Sequence, residues 1–312
     1  MEDIQQPARG RFAPSPTGLL HLGHAQTMLM NWLQVRAMGG QLVLRVEDVD
    51  GGRCRADADA AIARDLRWLG FDWDEGPDVG GPHAPYRQSE RFDRYRAALE
   101  TLGDRLFACS CTRKELSALA TGEGEQRYPG ICRGGATRPE RPSSLRVRVD
   151  PGLISWCDQV VGPQSEDPST VCGDFILRTK GGDFAYQLAC VVDDIAMGIT
   201  HVLRGEDLLS STGRQLLLYG WLGAAPPRFA HVPLRREVDG RRLEKRRGSR
   251  AIAAMRDAGE EPRVLLGAVA ADLGLLPPGE AASPHDLLPA FRRVWPGLLG
   301  RGDPARDPAT EA

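Results

Sequence analysis

The sequence predicts an α/β fold on a parallel sheet, interrupted by one small insertion and followed by a helical segment. Strand-like and helix-like stretches alternate over the first 110 residues. The alternation breaks off between about Cys109 and Asp174, then resumes at residue 175. In order, Arg11–Ala13 ends a short strand and enters a Pro/Gly loop, Pro14 to Gly18. A helix is expected from His24 to Met38, with Met28, Leu29, Trp32, Leu33 and Val35 at helical spacing and Gly39-Gly40 as its stop. Residues 41–46, QLVLRV, form a strand with Glu47 and Asp48 at its carboxyl end. Ile62, Leu66 and Leu69 mark a second amphipathic helix, which stops at Gly70.

Between 109 and 174 Gly, Pro, Arg and Cys rise, and only short strand candidates such as Leu145–Val149 remain. This stretch reads as an insertion, with a small element at its start held by something other than a core. FILRTK, the run ending VVDDIAMGITHVLRGED, and a helix from about Thr212 to Leu222 restore the α/β texture. Beyond Ile252 the pattern is helical, with Leu265, Leu266, Val269 and Leu273 as one stripe, and the polar tail from Arg301 is expected to be disordered. The expected division is two halves of one α/β domain (9–108 and 175–250), an insertion (109–174), a helical region (251–300) and a tail (301–312).

Composition narrows the function classes. A 41% hydrophobic content excludes disorder for most of the 312 residues, and the absence of any 18-residue apolar run excludes a membrane span. The polar start, MEDIQQPARGR, does not read as a signal peptide, and seven cysteines fit a reducing cytoplasm. A net charge of -2 excludes a strongly basic coat protein, while leaving room for an enzyme that meets nucleic acid through a local patch. Of 40 Lys+Arg only three are lysines, Lys114, Lys180 and Lys245.

Three constellations carry chemistry. SPTGLLHLGH, residues 15–24, is a glycine-containing loop leading into a helix start with His21 and His24 three apart. A helix start offers unpaired N–H groups to an anion, Gly23 permits close approach, and both imidazoles can donate to phosphate oxygens. GRRLEKRRGS, residues 240–249, lies in a run (235–250) with eight basic and three acidic side chains. Such a run is often a solvated loop; a cationic loop flanked by glycines is also suited to closing over a triphosphate. Third, Cys109, Cys111 and Cys132 place three thiols within 24 residues. They suit Zn²⁺ or simple reduced cysteines, but no fourth Cys or His stands nearby, His83 being the nearest upstream.

HLGH and LEKR resemble the two signature motifs of class I aminoacyl-tRNA synthetases. RFAPSPTGLLHLGH, LRVEDVD, AYQLACVVDD and ITHVLRGEDLLSSTGRQ resemble the glutamyl branch in order and spacing, over about residues 9 to 250. The resemblance implies a Rossmann-like parallel sheet split by a zinc-containing α+β insertion that contacts RNA, with a short C-terminal helical region. It also implies ATP, with Mg²⁺, bound by His21, Gly23, His24, Arg242, Leu243 and Lys245. By the same resemblance His21, His24 and Lys245 are expected to be the catalytic group. Glutamate is expected on Arg11, Ser15, Glu47, Tyr186 and Arg204: two arginines for its carboxylates, an acid for its ammonium, and two polar positioners.

Two features select a member of the branch. Glutamyl-Q tRNA(Asp) synthetases carry C-x-C…Y-x-x-x-C with the tyrosine oxygen as fourth zinc ligand, and Cys109, Cys111, Tyr128 and Cys132 match. They also lack the large anticodon-reading region, and here about 60 residues follow the LEKR loop. This resemblance implies tRNA-independent activation of L-glutamate and its transfer to queuosine of tRNA(Asp), with one structural zinc. A shortened glutamyl-tRNA synthetase and a non-catalytic glutamate- or ATP-binding paralogue are the alternatives. One departure stands out: where the family loop reads lysine, hydrophobe, serine, lysine, this chain has Arg242, Leu243, Glu244 and Lys245.

Overall fold

Alternating apolar residues decide which helices cover which side of each strand. The computed structural model describes residues 7–53, 58–118, 127–233 and 250–299. Strand β1 (Arg9–Phe12) leads through a loop into α1 (Leu22–Ala37) and back to β2 (Gln41–Leu44). β2 runs parallel to β1, with Arg9 opposite Gln41 and Phe12 opposite Leu44. α2 (Ala58–Trp68) and α3 (Phe92–Leu102) follow, then the inserted elements: β3 (Leu106–Cys109), α4 (Arg113–Ser117), β4 (Ser144–Val147), β5 (Ile154–Asp158), β6 (Gly162–Glu166) and α5 (Pro168–Val171). After β7 (Phe175–Arg178) come α6 (Tyr186–Ala196), β8 (His201–Gly205), α7 (Thr212–Trp221) and β9 (Arg228–Val232). α8 (Ile252–Asp257), α9 (Pro262–Asp272) and α10 (Pro284–Leu299) close the described chain.

β8 and β9 form a second parallel pair joined by α7, with His201 opposite Arg228. The two pairs meet where the Thr200 N–H donates to the Arg9 carbonyl (2.9 Å) and the Arg9 N–H donates to Thr200 Oγ1 (2.8 Å). The spatial order is therefore β2-β1-β8-β9, and the chain winds outward in opposite directions from the β1/β8 junction. In open α/β sheets that junction leaves a crevice beyond the strands' carboxyl ends.

Leu42 and Leu44 face one layer while Val43 faces the other; Leu203 and Val202, and Ala230 and Phe229, divide likewise. The first layer holds Leu29 and Leu33 of α1, Leu266 of α9 and Phe291 of α10. The second holds Tyr95 of α3, Leu188 of α6 and Leu218 of α7. α1 packs so closely on β1 that a Cβ at Gly10 would come within 2.4 Å of Val35 Cγ2. β3, β4 and β7 make a separate antiparallel sheet, so the strand expected to resume the α/β alternation at residue 175 pairs with β4 of the insertion instead of with the parallel strands; β5 and β6 form a hairpin. Phe107, Cys109, Tyr128 and Cys132 make their own small cluster, so the insertion starts on four side chains rather than on the main core.

The helix expected from His24 starts at Leu22, because His21 is extended (φ -135°) and acts as its N-cap. The strand expected over 41–46 keeps sheet geometry only to Leu44, although the Arg45 and Val46 N–H groups still bond to Phe12 and Tyr86 carbonyls. Of the C-terminal stripe, Leu266 and Val269 are buried, and Leu265 and Leu273 pack half-buried against the same core. No helix among the described residues is long and apolar enough to cross a membrane.

Candidate active site

The carboxyl ends of β1 and β8 open onto a cavity of about 680 Å³. β1 contributes Arg11 and its following loop Ser15; the start of α1 contributes His21, Gly23 and His24. Glu47 follows β2, Tyr186 begins α6 and Arg204 lies near the end of β8. Residues nearly 200 positions apart thus line one space, because β1 and β8 are neighbours. Arg242, Leu243, Glu244 and Lys245 lie outside the described residues, as do Cys54 and the tail 301–312. The described chain on either side of that run reaches α1: Gln26 Nε2 donates to the Pro233 carbonyl (3.0 Å), and Ala251 pairs with His21.

At the mouth, the His21 N–H donates to His24 Nδ1 (3.2 Å), and the two rings lie 3.7 Å apart. An Nδ1 that accepts leaves the proton of a neutral imidazole on Nε2, where it can be donated. The first turn of this 16-residue helix carries no acidic residue, so its positive end is not offset. A Cβ at Gly23 would sit 3.3 Å from the His21 ring, so glycine keeps this edge open. Such a helix start offers N–H groups and positive charge to an anion.

Beneath the floor lies a buried charge network that the sequence reading passed over. Arg45 donates to Asp194 (2.6 Å) and to Glu47 (2.9 Å), and Arg11 Nε lies 3.6 Å from Asp194. Tyr219 donates to the same carboxylate at 3.2 Å. Burial lifts Glu47 above the ordinary carboxylate range, with Arg45 and Arg11 opposing it. Burial also opposes ionisation of Asp194, but there Arg45 and Arg11 win and hold it below that range. Tyr186 is raised by burial and stays a neutral phenol. Arg45 and Asp194 sit inside the motifs LRVEDVD and AYQLACVVDD; a lone arginine in QLVLRV was the available signal, since a buried charge needs a partner.

Arg204 is held differently. Its Nε donates to His231 Nε2 (2.9 Å), one terminal nitrogen to Gln215 Oε1 (2.7 Å) and the other to Thr212 Oγ1 (3.0 Å). His231 Nδ1 in turn meets Asp158 Oδ2 at 2.5 Å.

At the insertion, the Sγ atoms of Cys109, Cys111 and Cys132 all lie within 4.8 Å of one another, Cys111 and Cys132 being 3.6 Å apart. The Tyr128 hydroxyl oxygen accepts from the Cys109 thiol (3.4 Å) and from the Cys132 N–H (2.8 Å). Tetrahedral Zn–S bonds of about 2.3 Å require sulfurs about 3.8 Å apart, so three thiols and one phenol oxygen fit such an ion. Burial works against ionising Cys132, but hydrogen bonds from Thr137 and Ser110 pull its thiol down to about 5. Lys180, which had no role in the sequence reading, donates to the Ser110 carbonyl between the first two cysteines (2.7 Å). His83 is elsewhere, against Glu75 (2.9 Å). The neighbouring arginines have partners within the protein. Arg146 is buried with its guanidinium 3.9 Å from the Tyr128 ring centre, Arg133 and Arg148 bond within the insertion, and Arg138 and Arg141 pair with Glu115.

A doubly covered parallel sheet with a crevice at its switch point and an open helix start is the setting in which α/β folds bind nucleotides. The family "tRNA synthetases class I (E and Q), catalytic domain" matches residues 7–281. The glutamyl-Q tRNA(Asp) synthetase of Symbiobacterium thermophilum is 48% identical over 299 residues, covering 90% of this chain and 91% of that one. The glutamate–tRNA ligase of Anaeromyxobacter dehalogenans is also 48% identical, but the match covers 83% of this chain and 56% of the ligase. Among solved structures, glutamate–tRNA synthetase from Elizabethkingia anophelis superposes with a TM-score of 0.78 at 30% identity, over 91% of this chain and 65% of that one. The chain therefore belongs to the class I tRNA synthetases of the E and Q type, in their glutamyl-Q tRNA(Asp) branch.

Proposed function

We propose that the chain activates L-glutamate with ATP, without tRNA, and transfers the glutamate to the queuosine base of tRNA(Asp). The cavity is the observation that supports this most: Arg11, Glu47, Tyr186 and Arg204 converge in it with His21, Gly23 and His24. An α-carboxylate oxygen of glutamate attacks the α-phosphorus of ATP, and pyrophosphate leaves. A hydroxyl of queuosine's cyclopentene ring then attacks the adenylate carbonyl; an ester forms and AMP leaves. Such transfers need placement and charge neutralisation more than covalent help from the protein.

Arg11 and Arg204 pair with the two carboxylates, the task a guanidinium fork performs best. Glu47 takes the ammonium, whose charge replaces the hydration that burial removes. Ser15 and Tyr186 position the substrate. His21, Gly23 and His24 hold phosphate oxygens at the start of α1. Arg242, Leu243 and Lys245 complete the ATP site on the strength of the sequence, with Lys245 stabilising the charge that develops. Mg²⁺ accompanies ATP and neutralises part of its charge. Residues 9–108 and 175–250 are the halves of the catalytic domain, 109–174 the zinc-containing, RNA-contacting insertion, and 251–300 the helical C-terminal region. Cys109, Cys111, Tyr128 and Cys132 would hold one structural zinc. The chain acts in the cytoplasm.

Purified, zinc-loaded protein should exchange pyrophosphate into ATP only when glutamate is present, and with no tRNA. It should label queuosine-containing tRNA(Asp) and leave tRNA(Glu) unlabelled. No exchange sinks the enzyme reading; label on tRNA(Glu) sinks the acceptor. Metal analysis should find one zinc per chain, and Cys132→Ser should release it and loosen the insertion.

A further inference from the structure

We propose that Asp158 and His231 are positioning residues for Arg204, aiming its guanidinium into the cavity through an Asp158–His231–Arg204 relay. The inference rests on the reading of Arg204 as a glutamate-binding arginine, and extends it to two residues outside the cavity lining.

A guanidinium carries five N–H groups. Three of Arg204's are taken by His231, Gln215 and Thr212, one on each nitrogen, which leaves two for a ligand. The Nε bond fixes the plane of the group, and it needs an acceptor on His231 Nε2. That nitrogen accepts only if the imidazole is neutral with its proton on Nδ1. Asp158 imposes this state: its Oδ2 faces Nδ1 at 2.5 Å, while its Oδ1 accepts the N–H groups of Val160 (3.0 Å), Val161 (2.9 Å) and His231 (3.1 Å). Both residues are fully buried, so neither ring nor carboxylate can turn to water. Phe229 completes the support. Its ring lies nearly parallel to His231 (15°) and 5.1 Å from the Arg204 guanidinium.

Charge supports the same arrangement. Burial lowers His231 below the usual histidine range, against the pull of Asp158 and with the help of Arg204. A protonated ring would lose its acceptor and place a second cation against the first. Asp158 ends β5, in the inserted hairpin, so the insertion supplies one link of the glutamate pocket.

The test is glutamate-dependent pyrophosphate exchange by the full, zinc-loaded chain. His231→Leu, which removes the acceptor, should raise KM for glutamate about tenfold or more while KM for ATP stays within about twofold. His231→Gln, whose amide oxygen can still accept from Nε, should recover most of that loss. ¹⁵N NMR of the unsubstituted protein should show His231 with its proton on Nδ1, a readout that stands even if His231→Leu fails to fold. An Nε2–H ring, or equal changes in both KM values, overturns the relay. Wild-type exchange with KM for glutamate unmoved in His231→Leu overturns the positioning role alone. Absence of exchange in the wild type overturns the synthetase reading and takes the relay with it.

Discussion

Arg11 and Arg204 reach the same cavity from corresponding places, near the ends of β1 and β8, yet the two halves of the sheet hold them by opposite means. On the β1 side the neutralising partners are carboxylates: Asp194 lies 3.6 Å from Arg11 and 2.6 Å from Arg45, which also binds Glu47. On the β8 side the contacts are neutral acceptors, His231, Gln215 and Thr212. The first device ties a cavity-lining arginine to the stability of the core. The second fixes direction through neutral acceptors, with no carboxylate bonded to the guanidinium. One cavity thus combines an arginine set among carboxylates with one held by neutral groups.

Substitutions should separate the two. Asp194→Asn leaves Arg11 without its carboxylate and Arg45 with only Glu47, all buried, and should lower stability by about 3–5 kcal/mol in urea denaturation. An unchanged midpoint would remove the distinction between the halves. Arg204→Lys keeps the charge but loses the fork and should cut kcat/KM for glutamate about 100-fold, with a smaller stability loss than Asp194→Asn.

His201, at the start of β8, sharpens the contrast through pH. Burial, and then Arg228, push its imidazole down to about 4 from an ordinary 6.5. Its folded-state pKa is therefore below the unfolded one: the contribution is complete above pH 6.5 and is lost as pH falls towards 4. The loss should be on the order of 2–3 kcal/mol, and His201→Asn should flatten the stability curve across that window. Thr212→Val, which deletes one neutral acceptor of Arg204, should have the smallest effect. It should cost about 1 kcal/mol in stability, with KM for glutamate rising more than KM for ATP. A loss as large as that of Asp194→Asn would show that the β8 side also carries core stability.

The contrast also marks what could be read from the chain alone. Eight of the residues that line the cavity were legible because they stand at or just after a strand end or at a helix start, inside a contiguous motif: Arg11, Ser15, His21, Gly23 and His24 fall within fourteen residues. α1 was two residues off at its start, because His21 caps through its backbone, with its N–H taken by the His24 ring, and is not a residue type associated with capping. Their supports were not legible. Asp158 and His231 are 73 positions apart, and Asp158 ends the first strand of a hairpin that had no clear strand signal. β9, five residues long, and α3 were likewise passed over, their apolar positions too few or too scattered to stand out. Lys180 was noticed for scarcity, but its bond to Ser110 depends on a fold that brings residues 70 apart together.

The meeting of β1 and β8 has a further consequence for how the protein is made. Arg9 bonds to Thr200 and Met197, 191 and 188 positions further on, and Trp32 packs its ring against His285 at 4.7 Å. Translation at about 5–20 residues per second puts roughly 10–40 s between the emergence of the first strand and that of its partner. For that interval β1, α1 and β2 form a half-sheet without its second pair, and the apolar side of α1 lacks the helices that will bury it. Such late-closing contacts slow folding and leave greasy surface open to self-association. The half that presents its histidines first on the ribosome is thus among the last to be sealed.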